Sequence, residues 1–236
     1  MVMRIPGTTV SILSSPGKMP SKSFSLPAIR SCPSAYFGKG AICGESKDNT
    51  TCYASKRAYT WPVVVNALNA RYQWAIRASM DAATGDEFVQ TMTEAIVREA
   101  LRQQRRHKRI NGNLDGFQPV FRLHDSGDLF SPSYALLWAR IAERCDHVSF
   151  WIPTRQWRSK NLHMQAALAT LAALPNVAVR PSALVIEVDA PVVPGLAAGT
   201  GVRREGYNCP ASAQGNKCGD CRQCWQKDVP VYYHLH

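Results

Sequence analysis

Residues 117–154 read FQPVFRLHDSGDLFSPSYALLWARIAERCDHVSFWIPT, and this stretch decides the fold class. Phe117–Leu123 is a β-prone apolar run. Ser131-Pro132 is a helix start, an N-cap serine followed by proline in the first turn. Tyr134, Leu137, Trp138 and Ile141 then fall on one face at helical spacing, through about Arg144. His147–Ile152 returns to a strand pattern. A strand, a helix and a strand at this spacing make a parallel β/α unit with a right-handed crossover.

Outward from that unit the pattern repeats. About Lys160–Leu174 reads as a helix, Asn176–Val179 as a strand, and Ala183–Val188 as a further apolar strand. Upstream, Ser23-Phe-Ser-Leu26 alternates as a first strand. Thr60-Trp-Pro62 starts a helix whose face is Val65, Leu68, Tyr72, Ala75 and Ser79. Thr84-Gly-Asp-Glu87 reads as a capping box, with Val89, Met92, Ile96 and Ala100 inward. The expected fold class is α/β: a partial parallel (β/α) barrel or an open parallel sheet with helices, plus a cysteine-rich C-terminal cap. The divisions are an extended arm over 1–23, a β/α core with an N-terminal cysteine loop over 24–189, and a linker with a metal-binding cap over 190–236.

Composition narrows the function classes. The 236 residues include 28 Lys+Arg against 17 Asp+Glu, a formal net charge of +11, and 45% are hydrophobic. That apolar content excludes general disorder, and no run of about 18 apolar residues marks a membrane span. Met1-Val-Met-Arg-Ile-Pro is not followed by a secretory h-region, so a cytoplasmic protein is expected. A basic surface attracts polyphosphate. Arg102, Arg105, Arg106, Lys108 and Arg109, at the end of a predicted helix, are the nucleic-acid-binding candidates; a solvated face complementing the helix dipole is the plainer account.

The chain has eight cysteines. In a chain of this size without a secretory leader, clustered cysteines point to metal rather than disulfides. Cys209, Cys218, Cys221 and Cys224 form two C-x-x-C units sharing the middle cysteine, plus a distant fourth. A zinc ribbon uses two separate knuckles, so this spacing better suits the corners of a 4Fe–4S cluster, with zinc as the alternative metal. Cys32, Cys43 and Cys52, separated by ten and eight residues, could hold a second cluster with one iron open; ordinary free thiols are the other account. Cys145 reads as a small buried hydrophobe.

In parallel β/α folds the functional loops follow the carboxyl ends of strands. There the chain places His124, Asp125 and Asp128, suited to holding a ligand or moving a proton. Ser126 and Gly127 share that loop as cofactor-binding candidates. Arg155, one strand later, suits a carboxylate or phosphate, with Arg180 a similar candidate and Trp157 a ring to stack on. The plainer accounts are helix capping for the two aspartates, a surface position for Arg155 and core packing for the tryptophan.

Leu26-Pro-Ala28 near Ser31-Cys-Pro33, Cys52-Tyr-Ala54, Phe121–Asp128 and Cys218–Trp225 together resemble the phage gene-product-eighty-eight-like proteins, over most of residues 18–236. Those proteins occur in phages and mobile elements, so the resemblance implies the host cytoplasm. More distantly, the layout is similar to radical S-adenosylmethionine enzymes. These are partial β/α barrels with a three-cysteine cluster after the first strand and a polar motif after the second that holds the methionine amino group. The resemblance implies the cluster role for Cys32, Cys43 and Cys52, the amino-group role for residues 124–128, and S-adenosylmethionine as a candidate cofactor. Their C-x3-C-x2-C signature is absent here.

Two functions are therefore expected in competition. One is an iron–sulfur, radical-S-adenosylmethionine-like enzyme acting on a nucleoside, nucleic acid or other phosphate-bearing substrate. The other is a non-catalytic iron–sulfur or zinc protein that binds nucleic acid or senses redox state.

Overall fold

A computed structural model describes residues 2–235. Four parallel strands pair in chain order: β1 (Ser23–Phe24), β2 (Val120–Leu123), β3 (Ser149–Thr154) and β4 (Val177–Pro181). Helices α1 (Pro62–Met80) and α2 (Ala82–Asn111) connect β1 to β2, α3 (Pro132–Arg144) connects β2 to β3, and α4 (Leu162–Ala173) connects β3 to β4. Sequential right-handed crossovers place successive helices on one side of a sheet. Strand parity agrees: Phe24, Phe121, Leu123, Phe150, Ile152, Val177 and Val179 share one core with Trp74, Phe88, Tyr134 and Trp138. Trp151 belongs instead to a separate cluster with Cys224 and Val231 on the opposite face. The fold is thus an open parallel α/β sheet. A second, two-stranded parallel sheet joins β5 (Thr200–Arg203) to β6 (Val231–His234).

The helices start and stop for local reasons. The Ser131 hydroxyl accepts from the Tyr134 amide, as its position before proline predicts. The α2 start differs from expectation: Asp81 is the cap, accepting from the Thr84 amide at 2.7 Å, so the helix begins before the predicted capping box. It ends at Gly112, whose φ of 81° is the left-handed stop that glycine adopts without strain. In α1 the buried face is Leu68, Arg71, Trp74, Ala75 and Ala78, while Val65 is exposed. Trp74 carries the larger apolar surface, and burying it turns the helix away from the predicted face.

Two further expectations change. Ala183–Val188 forms no strand; it contributes a single bridge, Ala41 to Val185. The N-terminal residues are not all an extended arm, because Ile5, Ile12 and Leu13 are buried in the main core. Arg71 helps secure them, donating to the carbonyls of Ser11 and Ile12. Cys145 is fully buried in that core, as predicted.

Candidate functional site

The face of the sheet opposite the helices presents Ser23, Arg122, Trp151 and Arg180, and within residues 209–234 Cys224, Trp225, Val231 and Tyr233 cover it at Trp151. Arg180 is the main fastener. All five of its N–H groups donate to carbonyls: Cys224, Ala198, Val229, Gln223 and Gln226. Its side chain therefore has no donor left for a ligand, which departs from its expected cofactor-binding role. Trp225 adds a bond from Nε1 to the Phe121 carbonyl of β2 at 3.0 Å.

Beneath that cover Cys209, Cys218, Cys221 and Cys224 line one small pocket, together with Trp225 and Val231. Burial pushes the Cys224 thiol up to about 11, and it also raises the Cys218 thiol. Both are protonated at neutral pH unless a metal ion displaces the proton. Among the described residues, no group of three His, Cys, Asp or Glu side chains is close enough to hold one metal ion. A single zinc, with bonds of about 2.3 Å, draws four sulfurs to within about 3.8 Å of each other. A cubane spaces its thiolates wider.

Three groups flank this pocket. Tyr233 Oη lies 3.5 Å from Cys224 Sγ, and Met19 Sδ lies 3.8 Å from Cys218 Sγ. Arg122 sits over the Trp151 ring at 4.4 Å and approaches Met19 Sδ at 3.7 Å. It forms no ion pair among the described residues, and its buried Nε has no partner.

The loop after β2 is tied to its neighbours residue by residue. Asp125 accepts from Ser23 Oγ at 2.9 Å, from Ser25 Oγ, and from Tyr59 Oη at 2.7 Å. Tyr53 donates to the Asp125 carbonyl and accepts from Arg122 at 3.4 Å. Ser126 Oγ donates to the Leu26 carbonyl at 2.5 Å. Gly127 has φ 88°, and a Cβ there would lie 2.6 Å from Leu26 Cβ and from Ser31 Oγ. Ser126 and Gly127 are thus used to lock the loop onto the chain after β1.

Asp128 joins this loop to the next one. Its Oδ1 accepts from the Leu129 amide at 2.7 Å and Thr154 Oγ1 at 2.6 Å, and its Oδ2 from the Arg155 amide at 2.9 Å. Burial raises its carboxyl pKa against the lowering effect of these bonds. His124 faces the helices, with φ 61° and Nε2 2.9 Å from Tyr134 Oη. Burial, aided by Arg122, pulls it down to about 3, so it is neutral. A neutral histidine on a tyrosine among core residues is placed to support the loop rather than to shuttle protons from a cleft.

The three N-terminal cysteines are not gathered into a single-ion group. Cys32 and Cys52 interact electrostatically, and burial with nearby Asp128 pushes the Cys32 thiol up to about 12. Cys43 is buried, and its carbonyl accepts from Thr50 Oγ1, which in turn accepts from the Cys52 amide. Trp157 is half-buried and donates from Nε1 to the Ser182 carbonyl at 3.0 Å.

The basic residues lie on the last turns of α2. Arg102 is held by the buried Glu99 at 2.6 and 2.7 Å. Arg105, Arg106, Lys108 and Arg109 are exposed and form no ion pair among the described residues. Exposed Arg98, one turn earlier, completes a stripe with residues 102, 105, 106 and 109, about 16 Å long.

Sequence reasoning missed Ser23, Ser25, Tyr53, Tyr59, Arg122, Gln156 and Tyr233. Two had a readable signal: Ser23 and Ser25 alternate in a strand, which puts both on the face away from Phe24. Tyr53 and Tyr59 come from short 3-10 turns and Tyr233 from a four-residue strand, too short for periodicity to point to them.

Fold and site together define a class: a parallel α/β protein with all its crossover helices on one face and a four-cysteine segment on the other. The family model described as Gene product 88 matches residues 6–227, and the chain belongs to that family. It is 27% identical over 148 residues to the Gene 88 proteins of Mycobacterium phages D29 and L5. These matches cover 61% of this chain and 52% of each relative, so the matched region spans about half the length of those relatives. No solved structure matches. No helix among the described residues is long and apolar enough to cross a membrane.

Proposed function

We propose that this chain is an iron–sulfur enzyme that binds a 4Fe–4S cluster through Cys209, Cys218, Cys221 and Cys224 and acts on a phosphate-bearing substrate at the carboxyl ends of β1–β3. The observation that carries this reading is the convergence of all four C-terminal cysteines on one pocket. The donor set is all thiol, which suits iron–sulfur chemistry. Arg122 supports it as well, because a four-thiolate cluster is anionic and this cation has no carboxylate partner in contact. When bound, the cluster would supply one-electron chemistry. The chain's own residues do the remainder: Arg180 fixes the Cys224 loop, Tyr233 bonds to the Cys224 sulfur, and Asp125 and Asp128 hold the loops that frame the substrate.

Use of S-adenosylmethionine requires a second cluster on Cys32, Cys43 and Cys52. The experiment is iron and sulfide analysis of protein purified without oxygen. About four irons per chain, lost in Cys218→Ala and retained in Cys43→Ala, support one C-terminal cluster. About eight, with half lost in Cys43→Ala, support the second cluster that use of S-adenosylmethionine requires. One zinc without iron overturns the iron–sulfur reading.

The arginine stripe of α2 favours a second reading, a nucleic-acid-binding protein in which the metal only braces the fold. It predicts single-stranded DNA or RNA binding that weakens in Arg105→Ala and Arg106→Ala but survives changes at Asp125 and Asp128.

A further inference from the structure

We propose that the carboxyl end of β3 carries an oxyanion subsite, formed by Arg155 and Gln156 against the Ser31–Ser34 turn, that takes a phosphate or carboxylate group. The inference rests on the reading above and names what the strand-end site holds. Gln156 is 2% exposed; its Oε1 accepts from Ser34 Oγ at 3.0 Å, and its Nε2 has no acceptor. Arg155 Nε, in the adjacent residue, is also buried without an acceptor. Its main chain is fixed, since the Arg155 amide donates to Asp128 Oδ2 at 2.9 Å.

Both orphaned atoms can only donate. Native folds leave few buried donors unpaired, so two in consecutive residues point to a missing acceptor. Beside a guanidinium that acceptor is best negatively charged. Asp128 lies near enough to feel the Arg155 charge, yet no bond from the guanidinium Nε reaches its carboxylate. A cation is the wrong ligand for a set of donors. Arg158, 5.3 Å from the centre of the Tyr36 ring, adds a second guanidinium in the same turn.

The test titrates inorganic phosphate and acetate separately into the full chain, followed by calorimetry. Saturable binding is expected, weakened about tenfold or more in Arg155→Gln and several-fold in Gln156→Leu, and unchanged in Arg144→Ala, an exposed position at the far end of α3. Tighter binding of phosphate assigns the subsite to a phosphoryl group, and tighter binding of acetate to a carboxylate. Arg155→Lys keeps the charge and the amide bond to Asp128, so it guards against misfolding of the glutamine variant; it too should weaken binding. The proposal is overturned if neither anion binds, or if both bind Arg155→Lys and Gln156→Leu as tightly as wild type. Iron content of the same samples separates the two readings. Iron-free protein that binds phosphate through Arg155 sinks the cluster and keeps the subsite; iron-loaded protein that binds neither anion does the reverse.

Discussion

The two faces of the four-stranded sheet are closed by different physics. Towards the helices, Phe24, Phe121 and Phe150 meet Trp74, Phe88, Tyr134 and Trp138 in a continuous aromatic core, with ring centroids as close as 4.5 Å for Trp74 and Phe88. Burial of apolar area closes that side, and area is non-directional. On the other side the covering segment is attached by directional bonds, four of them from Arg180. The first face fixes the fold. The second depends on a few specific partners, and that is where sensitivity to metal and ligand should concentrate.

The largest effect should come from Arg180→Ala, which strands five carbonyls, four of them in the cover. Loss of about 4–5 kcal/mol is expected in urea unfolding, together with loss of bound iron. Trp138→Ala is the matching change on the helical face. It should cost about 3–5 kcal/mol, and that cost should be equal with and without a chelator. Equal chelator sensitivity of the two variants would break the comparison.

His124 gives a smaller, pH-dependent effect. Its folded pKa is lowered from 6.5 to about 3, so the unfolded chain takes up a proton that the folded one refuses. Stability from this residue is fully present above pH 6.5 and declines as pH falls towards 3. Between pH 6.5 and 5 the loss should be about 2 kcal/mol, and His124→Gln should flatten that slope. The smallest effect belongs to Arg106→Ala, outside both faces. Stability should change by less than about 0.5 kcal/mol, while the salt dependence of any polyanion binding drops by about one counterion.

The parts of the fold legible in the sequence are those with strong periodicity. Tyr134, Leu137, Trp138 and Ile141 announce α3, and Ser131-Pro132 announces its start. The α1 face is legible at Leu68 and Ala75 but not at Val65 and Trp74, which lie on different sides of the helix, so that only the neighbouring core decides which is buried. At the site, the spacing singles out residues 209, 218, 221 and 224, and all four line one pocket. The roles of Arg180 and Gln156 were not legible, because they depend on which carbonyls and hydroxyls the chain folds against them from as many as 122 residues away.

Arg180 also orders events in time. Its carbonyl partners lie 18 to 49 residues further along the chain. At about 5–20 residues per second, a ribosome completes β4 about 2–10 s before it has added the last of them. During that interval the growing chain holds a finished helical core and an uncovered polar face. The cysteine segment then closes over a surface already in place, so assembly of the four-thiol pocket is a late step in the life of the nascent protein.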